Sequence, residues 1–229
     1  MNLNIVKEFQ KGGWAMWPLL AFLVIALTFV IERLIVLFFQ KRKLQPDKFL
    51  EAFEASMKKH EGDKVKVTEE MSVLCKQKGG ACAEIMLEGL TKYKQAKQMK
   101  LSVIDMKTWM TNALEERSRI ELPQLESHLN VLSVIAGVAP LMGLLGTVSG
   151  MIRSFTVMAN AAGGAKPNEL AGGISEALIT TATGLIIAIP VLISYNAIKA
   201  SVENFVMLVE EAAVHLVDSL IIDEKQFKE

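Results

Sequence analysis

Three stretches of this 229-residue chain are each long and apolar enough to cross a bilayer, and they constrain everything else about it. A hydrocarbon core about 30 Å thick needs roughly 20 apolar helical residues. The first stretch, Gly12 to Ile31, has no charged residue, and after Glu32 and Arg33 the apolar run resumes through Phe39. The second, Leu129 to Ile152, and the third, Ala177 to Ile198, are equally free of charge. One such run is compatible with a buried core helix. Three in a chain this short predict a polytopic membrane protein and exclude a single water-soluble globule.

Charge is segregated to match. The chain holds 25 Lys and Arg against 25 Asp and Glu, a balance that argues against a nucleic-acid surface. Residues 128–198 hold only Arg153, Lys166, Glu169 and Glu176, whereas residues 41–125 hold 17 basic and 13 acidic side chains. Two cysteines supply neither a disulfide framework nor a structural zinc site.

The first span is too long for a secretory signal peptide, and no small-residue cleavage site precedes the basic run, so it reads as a retained anchor. Trp14 and Trp17 then form an interfacial belt, and Pro18 is tolerable in a first helical turn. Ahead of them, Ile5, Val6 and Phe9 with Lys7, Glu8 and Lys11 suggest a short interfacial helix. Lys and Arg concentrate after span one, at Arg33, Lys41, Arg42 and Lys43. This bias places the N-terminus outside and residues 40–125 inside. The predicted order is an outer segment 1–13, spans at 14–39, 126–158 and 170–198, an outer loop at 159–169, and inner pieces at 40–125 and 199–229. The expected fold is thus an all-α integral membrane protein with long cytoplasmic helical extensions.

The inner pieces are patterned for helices. Phe49, Phe53 and Met57 share one face, as do Cys82, Met86, Gly89 with Leu90, and Tyr93, and Gly79-Gly80 marks a break. Ser102 with Asp105 resembles a capping box opening a long helix, in which Glu115 and Arg119 are spaced as an i,i+4 pair. If Pro123 only kinks that helix, it runs directly into span two. In the tail, Val202, Phe205, Val206, Val209, Ala213, Leu216, Val217 and Leu220 form a stripe. Core packing of a helical bundle explains it better than a docking surface. Cys75 and Cys82 read as small core residues, and His60, His128 and His215 form no ligand set.

Spans two and three carry stripes of small residues. Ala139, Gly143, Gly146 and Gly150 recur along one, and Gly173, Ala177, Thr181, Gly184 and Ala188 along the other. Such stripes let helices approach closely where lipid supplies no hydrophobic drive. The polar groups beside them are Thr147, Thr181 and Glu176. An unpaired carboxyl at mid-depth costs at least about 2.5–3.5 kcal/mol, so Glu176 is expected to face a partner or a water cavity. At 100° per residue, Glu176 and Thr181 lie about 140° apart, so one face does not hold both. A pore lined by Thr181 then leaves Glu176 toward span two or a neighbouring subunit. A self-sufficient proton relay needs several intramembrane carboxylates or histidines, which this chain lacks. A second protein is expected to bring the titrating group.

The segment Ala139-Pro-Leu-Met-Gly-Leu-Leu-Gly-Thr-Val-Ser-Gly150, followed by Met151, Ile152 and Phe155, resembles span two of ExbB/TolQ proteins. Leu170-Ala-Gly-Gly-Ile-Ser-Glu-Ala-Leu-Ile-Thr-Thr-Ala-Thr-Gly-Leu185 with Ala188-Ile-Pro190 resembles their span three. Residues 44–100 carry no such motif. The resemblance implies the MotA/TolQ/ExbB proton channel family and a multi-pass subunit of a proton-driven motor in a diderm inner membrane, its N-terminus periplasmic. It implies five copies around a pore that holds the spans of two ExbD/TolR-like chains, each bearing a titrating aspartate. It aligns Thr147 and Thr181 with pore-lining threonines and Glu176 with the span-three glutamate, here assigned to gating or packing. Gly143, Gly146, Gly150, Ala177 and Gly184 fall to helix packing. Flagellar stator subunits are relatives with four spans, so the ExbB/TolQ branch fits better.

The reading therefore expects no enzyme, no catalytic residue, no metal and no cofactor. The partners expected are lipid, an ExbD/TolR-like dimer and a TonB- or TolA-like protein. TonB-dependent transport is the leading use, with TolQ-type envelope constriction or a gliding or secretion motor as alternatives. From other classes, a passive membrane scaffold competes, whereas a membrane protease lacks its constellation, since Ser149 has no candidate base.

Overall fold

A computed structural model describes residue 9, residues 12–160 and residues 167–221, with the side chains of 41 and 167–170 left aside. The suggested N-terminal interfacial helix, the middle of the 159–169 loop and residues 222–229 lie outside the described residues. Among those described there is helix and no strand. Seven helices follow in order: α1 Met16–Arg42, α2 Pro46–Lys59, α3 Lys64–Lys78, α4 Ala81–Gln98, α5 Val103–Glu126, α6 Leu129–Asn160 and α7 Pro167–Ile221. Three regions are long and apolar enough to cross a membrane: Met16–Gln40, Val103–Asn160 and Ala171–Ile221. The apolar part of the second is α6, whose one charge is Arg153.

The chain divides into two compact units. The first takes residues up to Arg33 together with His128–Ile198. In it α6 and α7 run antiparallel, with Ala139, Gly143, Gly146 and Gly150 buried against α7. Opposite faces remain apolar and exposed, as at Leu141, Leu144, Val148 and Ile152, which suits lipid or another helix. Pro140 and Pro190 both lie inside their helices. Membrane helices tolerate this because neighbouring groups satisfy the freed carbonyl.

The second unit takes Leu34–Ser127 and the residues from Lys199. Its core brings together Phe49 and Phe53 of α2, Val67, Met71 and Cys75 of α3, and Cys82, Ile85, Met86, Leu90 and Tyr93 of α4. Met106, Met110 and Leu114 of α5 and Val209, Leu216 and Leu220 of α7 complete it. Each of the larger side chains contributes about 1.5–3 kcal/mol by leaving water. The α2 and α4 faces read from periodicity are the buried ones. In the tail stripe Ala212 is fully buried, while Ala213 is only partly so. Gly79 and Gly80 separate α3 from α4 at φ +61° and +102°, in the left-handed region that glycine adopts at least cost.

Caps set the helix starts. Asp63 accepts from the Val65 and Lys66 amides, and Ser102 accepts from Asp105 at 3.2 Å. The reciprocal arm differs from a capping box, because the Ser102 hydroxyl donates to the Asp105 carboxylate at 2.7 Å. On α5 the i,i+4 ion pair that forms is Arg117–Glu121, at 2.9 Å, and not Glu115–Arg119. Arg117 also reaches Glu84 of α4 at 3.0 Å, which selects it.

The expectation of one helix running from α5 into the second span fails. Pro123 sits inside α5, and the helix stops later, at Ser127 and His128. Ser127 is extended at φ −54° and ψ 145°, and His128 is left-handed at φ +62°. Two successive residues off the α region break the i→i−4 ladder.

Candidate functional site

The register of the α6–α7 pair follows from where side chains are missing. A Cβ on Gly184 would lie 2.6 Å from the Ala139 carbonyl oxygen, and one on Gly143 2.9 Å from that of Thr180. One on Gly150 would lie 2.8 Å from the Gly173 carbonyl oxygen, near Ala177, itself 3 % exposed. Gly146 faces Thr180, whose side chain would collide with any Cβ there. Gly143, Gly146, Gly150, Ala177 and Gly184 therefore lie between these helices, with backbone facing backbone at Gly143, Gly150 and Gly184 and the Thr180 side chain filling the space at Gly146.

Thr181 stands in this seam. Its hydroxyl crosses to α6 and donates to the Gly143 carbonyl at 3.0 Å. Thr147 is partly buried, and its hydroxyl donates to the Leu144 carbonyl of its own helix at 2.6 Å. The two hydroxyls thus hang from consecutive carbonyls of α6. With the donor proton so engaged, each oxygen keeps acceptor capacity toward the open side. Neither group carries a charge, so neither bears the desolvation cost of a fixed ion in lipid.

Glu176 is turned elsewhere. Its Oε2 lies 2.6 Å from Nη1 of Arg153, with Glu176 14 % and Arg153 68 % exposed. Its Oε1 faces Gly13, where a Cβ would collide with it. Gly13 is also at φ +66°, so both space and backbone conformation call for glycine there. The carboxylate pairs with α6 through Arg153 and lies close against Gly13, whereas Thr181 bonds the Gly143 carbonyl.

Sequence reasoning missed several members of this arrangement. Arg153 was visible as one of few charges, but its pairing with Glu176 needs the antiparallel register. The glycine stripes carry that register, since Gly150 against Gly173 and Ala177 brings position 153 near 176. Thr180, 0 % exposed, is the wedge that fills the Gly146 notch, its hydroxyl bonded to the Ala177 carbonyl at 2.8 Å. Ser154 similarly occupies the space beside Gly173. Among the described residues no cluster of three His, Cys, Asp or Glu is placed to hold a metal.

Comparison with known proteins agrees with this architecture. A sequence model of the MotA/TolQ/ExbB proton channel family matches residues 80–211. A putative biopolymer transport protein ExbB-like 1 from Synechocystis is 32 % identical over 198 residues, covering 85 % of this chain and 70 % of the relative. Its ExbB-like 3 counterpart is 36 % identical over 120 residues, covering 51 % and 57 %. A Tol-Pal system protein TolQ from Haemophilus influenzae is 41 % identical over 85 residues, covering 36 % of each. The chain thus spans little over half the length of one Synechocystis relative and 70 % of the other. With three candidate spans, a glycine-seamed helix pair and these relatives, the chain is a multi-pass membrane protein of the MotA/TolQ/ExbB proton channel family, in its ExbB/TolQ branch.

Proposed function

We propose that this chain is the channel subunit of an inner-membrane motor that converts proton motive force into mechanical work on the cell envelope. Copies of it, five by resemblance, ring a central pore occupied by an ExbD/TolR-like dimer, whose aspartates carry the protons. The N-terminus is periplasmic, and residues 40–125 and 199–229 are cytoplasmic. The driven machinery is TonB-dependent transport through a TonB-like protein. A TolA-like use is the second reading, because the TolQ relative is also similar.

The observation that carries the proposal is the pair of threonine hydroxyls on consecutive carbonyls of α6, in a seam where, among the described residues, Glu176 is the one carboxylate. Thr147 and Thr181 line the ion path and accept from a partner's protonated acid. When that acid ionises, a hydroxyl rotates to donate to the carboxylate, which costs one backbone contact and places no charge on this chain. Glu176 stays with Arg153 and Gly13 and serves packing or gating.

The test is proton flux into vesicles holding this chain with an ExbD/TolR-like partner. Replacing both Thr147 and Thr181 with Val is expected to abolish flux while the oligomer persists, and Ser at both positions is expected to restore it. Full flux in the double Val variant overturns the assignment. No flux from the wild-type chain in a verified complex favours a passive scaffold.

A further inference from the structure

The second unit carries a groove that the bundle's own packing leaves open. It runs between α5 and the last third of α7 and has a volume of about 790 Å³. Leu114 and Val217 belong to the bundle core and also line the groove, which therefore lies directly on that core. Leu122, Val206 and Ala213 extend the apolar lining, and Val214 is 62 % exposed within it. The lining positions recur every three or four residues on both helices, so each helix turns one continuous face into the groove. From Val206 to Asp218 that face is about 18 Å long at 1.5 Å per residue, which matches a helix of about three turns.

The rim is charged, and its charge is unbalanced. Lys107 pairs with Asp218 at 3.0 Å and ties the two helices together at one end. Glu115, Glu126 and Glu210 also line the groove and, among the described residues, have no ion pair. Arg119 is the one lining cation in the same position, so the open rim is acidic on balance. An apolar groove edged by carboxylates is complementary to an amphipathic helix with basic flanks. The bundle's own lysines are poor candidates. Lys59, Lys66, Lys92 and Lys94 already pair with acids of the same unit.

The end of the groove away from the Lys107 pair, at Pro123, Glu126 and Val206, is the end nearest the spans along the chain. Glu126 comes just before α6 starts at Leu129, and Val206 soon after the third apolar run ends at Ile198. Short cytoplasmic segments that flank a membrane span are rich in Lys and Arg. We propose that the groove docks the basic cytoplasmic segment of a single-span membrane partner, held as an amphipathic helix of about three turns. Apolar side chains of that segment cover Leu114 and Val217, and its cations meet Glu115 and Glu210. The inference rests on the motor reading, which supplies such a partner, and gives that partner a second contact with the chain outside the pore.

The experiment is zero-length carbodiimide cross-linking of carboxylates to amines, with the full chain and an ExbD/TolR-like partner together in nanodiscs. Mass spectrometry is expected to find Glu115, Glu126 or Glu210 joined to lysines or the terminal amine of the partner's cytoplasmic segment. Glu115→Lys with Glu210→Lys turns two attractions into repulsions. It is expected to lower the cross-link at Glu126 by about three- to tenfold, the scale of exposed ion pairs. Glu116→Lys with Glu211→Lys changes the charge equally at exposed positions of the same helices outside the groove, and is expected to leave that cross-link unchanged. The docking is overturned by no cross-link to the partner, by no loss in the groove variant, or by equal loss in both variants. Cross-links only to lysines of this chain or of a second copy overturn it too. Proton flux with the same proteins in vesicles keeps the two readings apart. Groove cross-links without flux leave the docking standing and overturn the motor, whereas flux without groove cross-links does the reverse.

Discussion

Arg153 and Glu176 settle at the level of single side chains what an acid in the third apolar run needs. A carboxylate in an apolar helix requires a counter-charge or water, and here the helix opposite supplies a guanidinium at 2.6 Å. Glu176 is mostly covered and Arg153 mostly open, so the pair is screened from one side and its worth is small. A double-mutant cycle with Glu176→Gln and Arg153→Met, read by unfolding in nanodiscs, is expected to give a coupling of about 0.2–1 kcal/mol. Glu176→Gln keeps the shape beside Gly13, so the cycle reports charge and not packing. A coupling of zero would show that the pair contributes nothing to the stability of the helix pair in the membrane. The pair is absent from any reading of one helix at a time. It is legible only after the glycine stripes on both helices are laid against each other, which fixes which residue of α6 meets which residue of α7.

Among the elements, legibility depends on whether one strong period or several weak signals decide. The buried face of α2 through Phe49 and Phe53, and that of α4 through Cys82, Met86 and Tyr93, repeat every three to four residues and are read directly. The Gly79-Gly80 break is equally plain, because two residues tolerant of positive φ stand together. The junction at 127–128 is not, because Pro123 looks like the breaker while a histidine carries the left-handed turn. Contacts between elements were invisible too. Glu70 of α3 takes Lys59 at 2.7 Å, Ser56 at 2.6 Å and His60 at 2.9 Å, all from α2 and its end. Chiefly through Lys59, then Ser56 and His60, its carboxyl falls from 4.5 to about 2. A depressed folded-state value means that stability is present above the unfolded value and is lost as pH falls from 4.5 toward 2. Acid unfolding of the chain is therefore expected to include a component over that window that Glu70→Gln removes, seen as a flatter stability profile between those pH values. Equal profiles for the two proteins would show that the α2–α3 contact contributes nothing to the acid limb.

At the level of the whole molecule, two units of opposite character share the continuous helices α1 and α7. The first hides small residues and leaves large apolar ones outside, as a body solvated by lipid or by its own copies must. The second hides large apolar residues and shows charge, as a water-facing bundle does. Its interior is sealed well enough to silence its thiols. Burial pushes Cys75 up to about 12, with the Glu84 charge adding to it, and Cys82 likewise to about 12. A thiol raised that far holds almost no thiolate at neutral pH, and the thiolate is the reactive form. Alkylation must therefore wait for the bundle to open. Iodoacetamide at neutral pH is expected to label the native chain far more slowly than the denatured chain. The rate should follow the opening equilibrium of the second unit while leaving the first unit's helix pair intact. Met110→Ala, a cavity at a fully buried position of the same core, should cost about 2–5 kcal/mol and speed both labelling reactions together. Fast labelling of one cysteine alone in the wild-type chain would instead locate a local opening at α3 or α4. The second unit would then be a pair of loosely joined pieces and not one cooperative body.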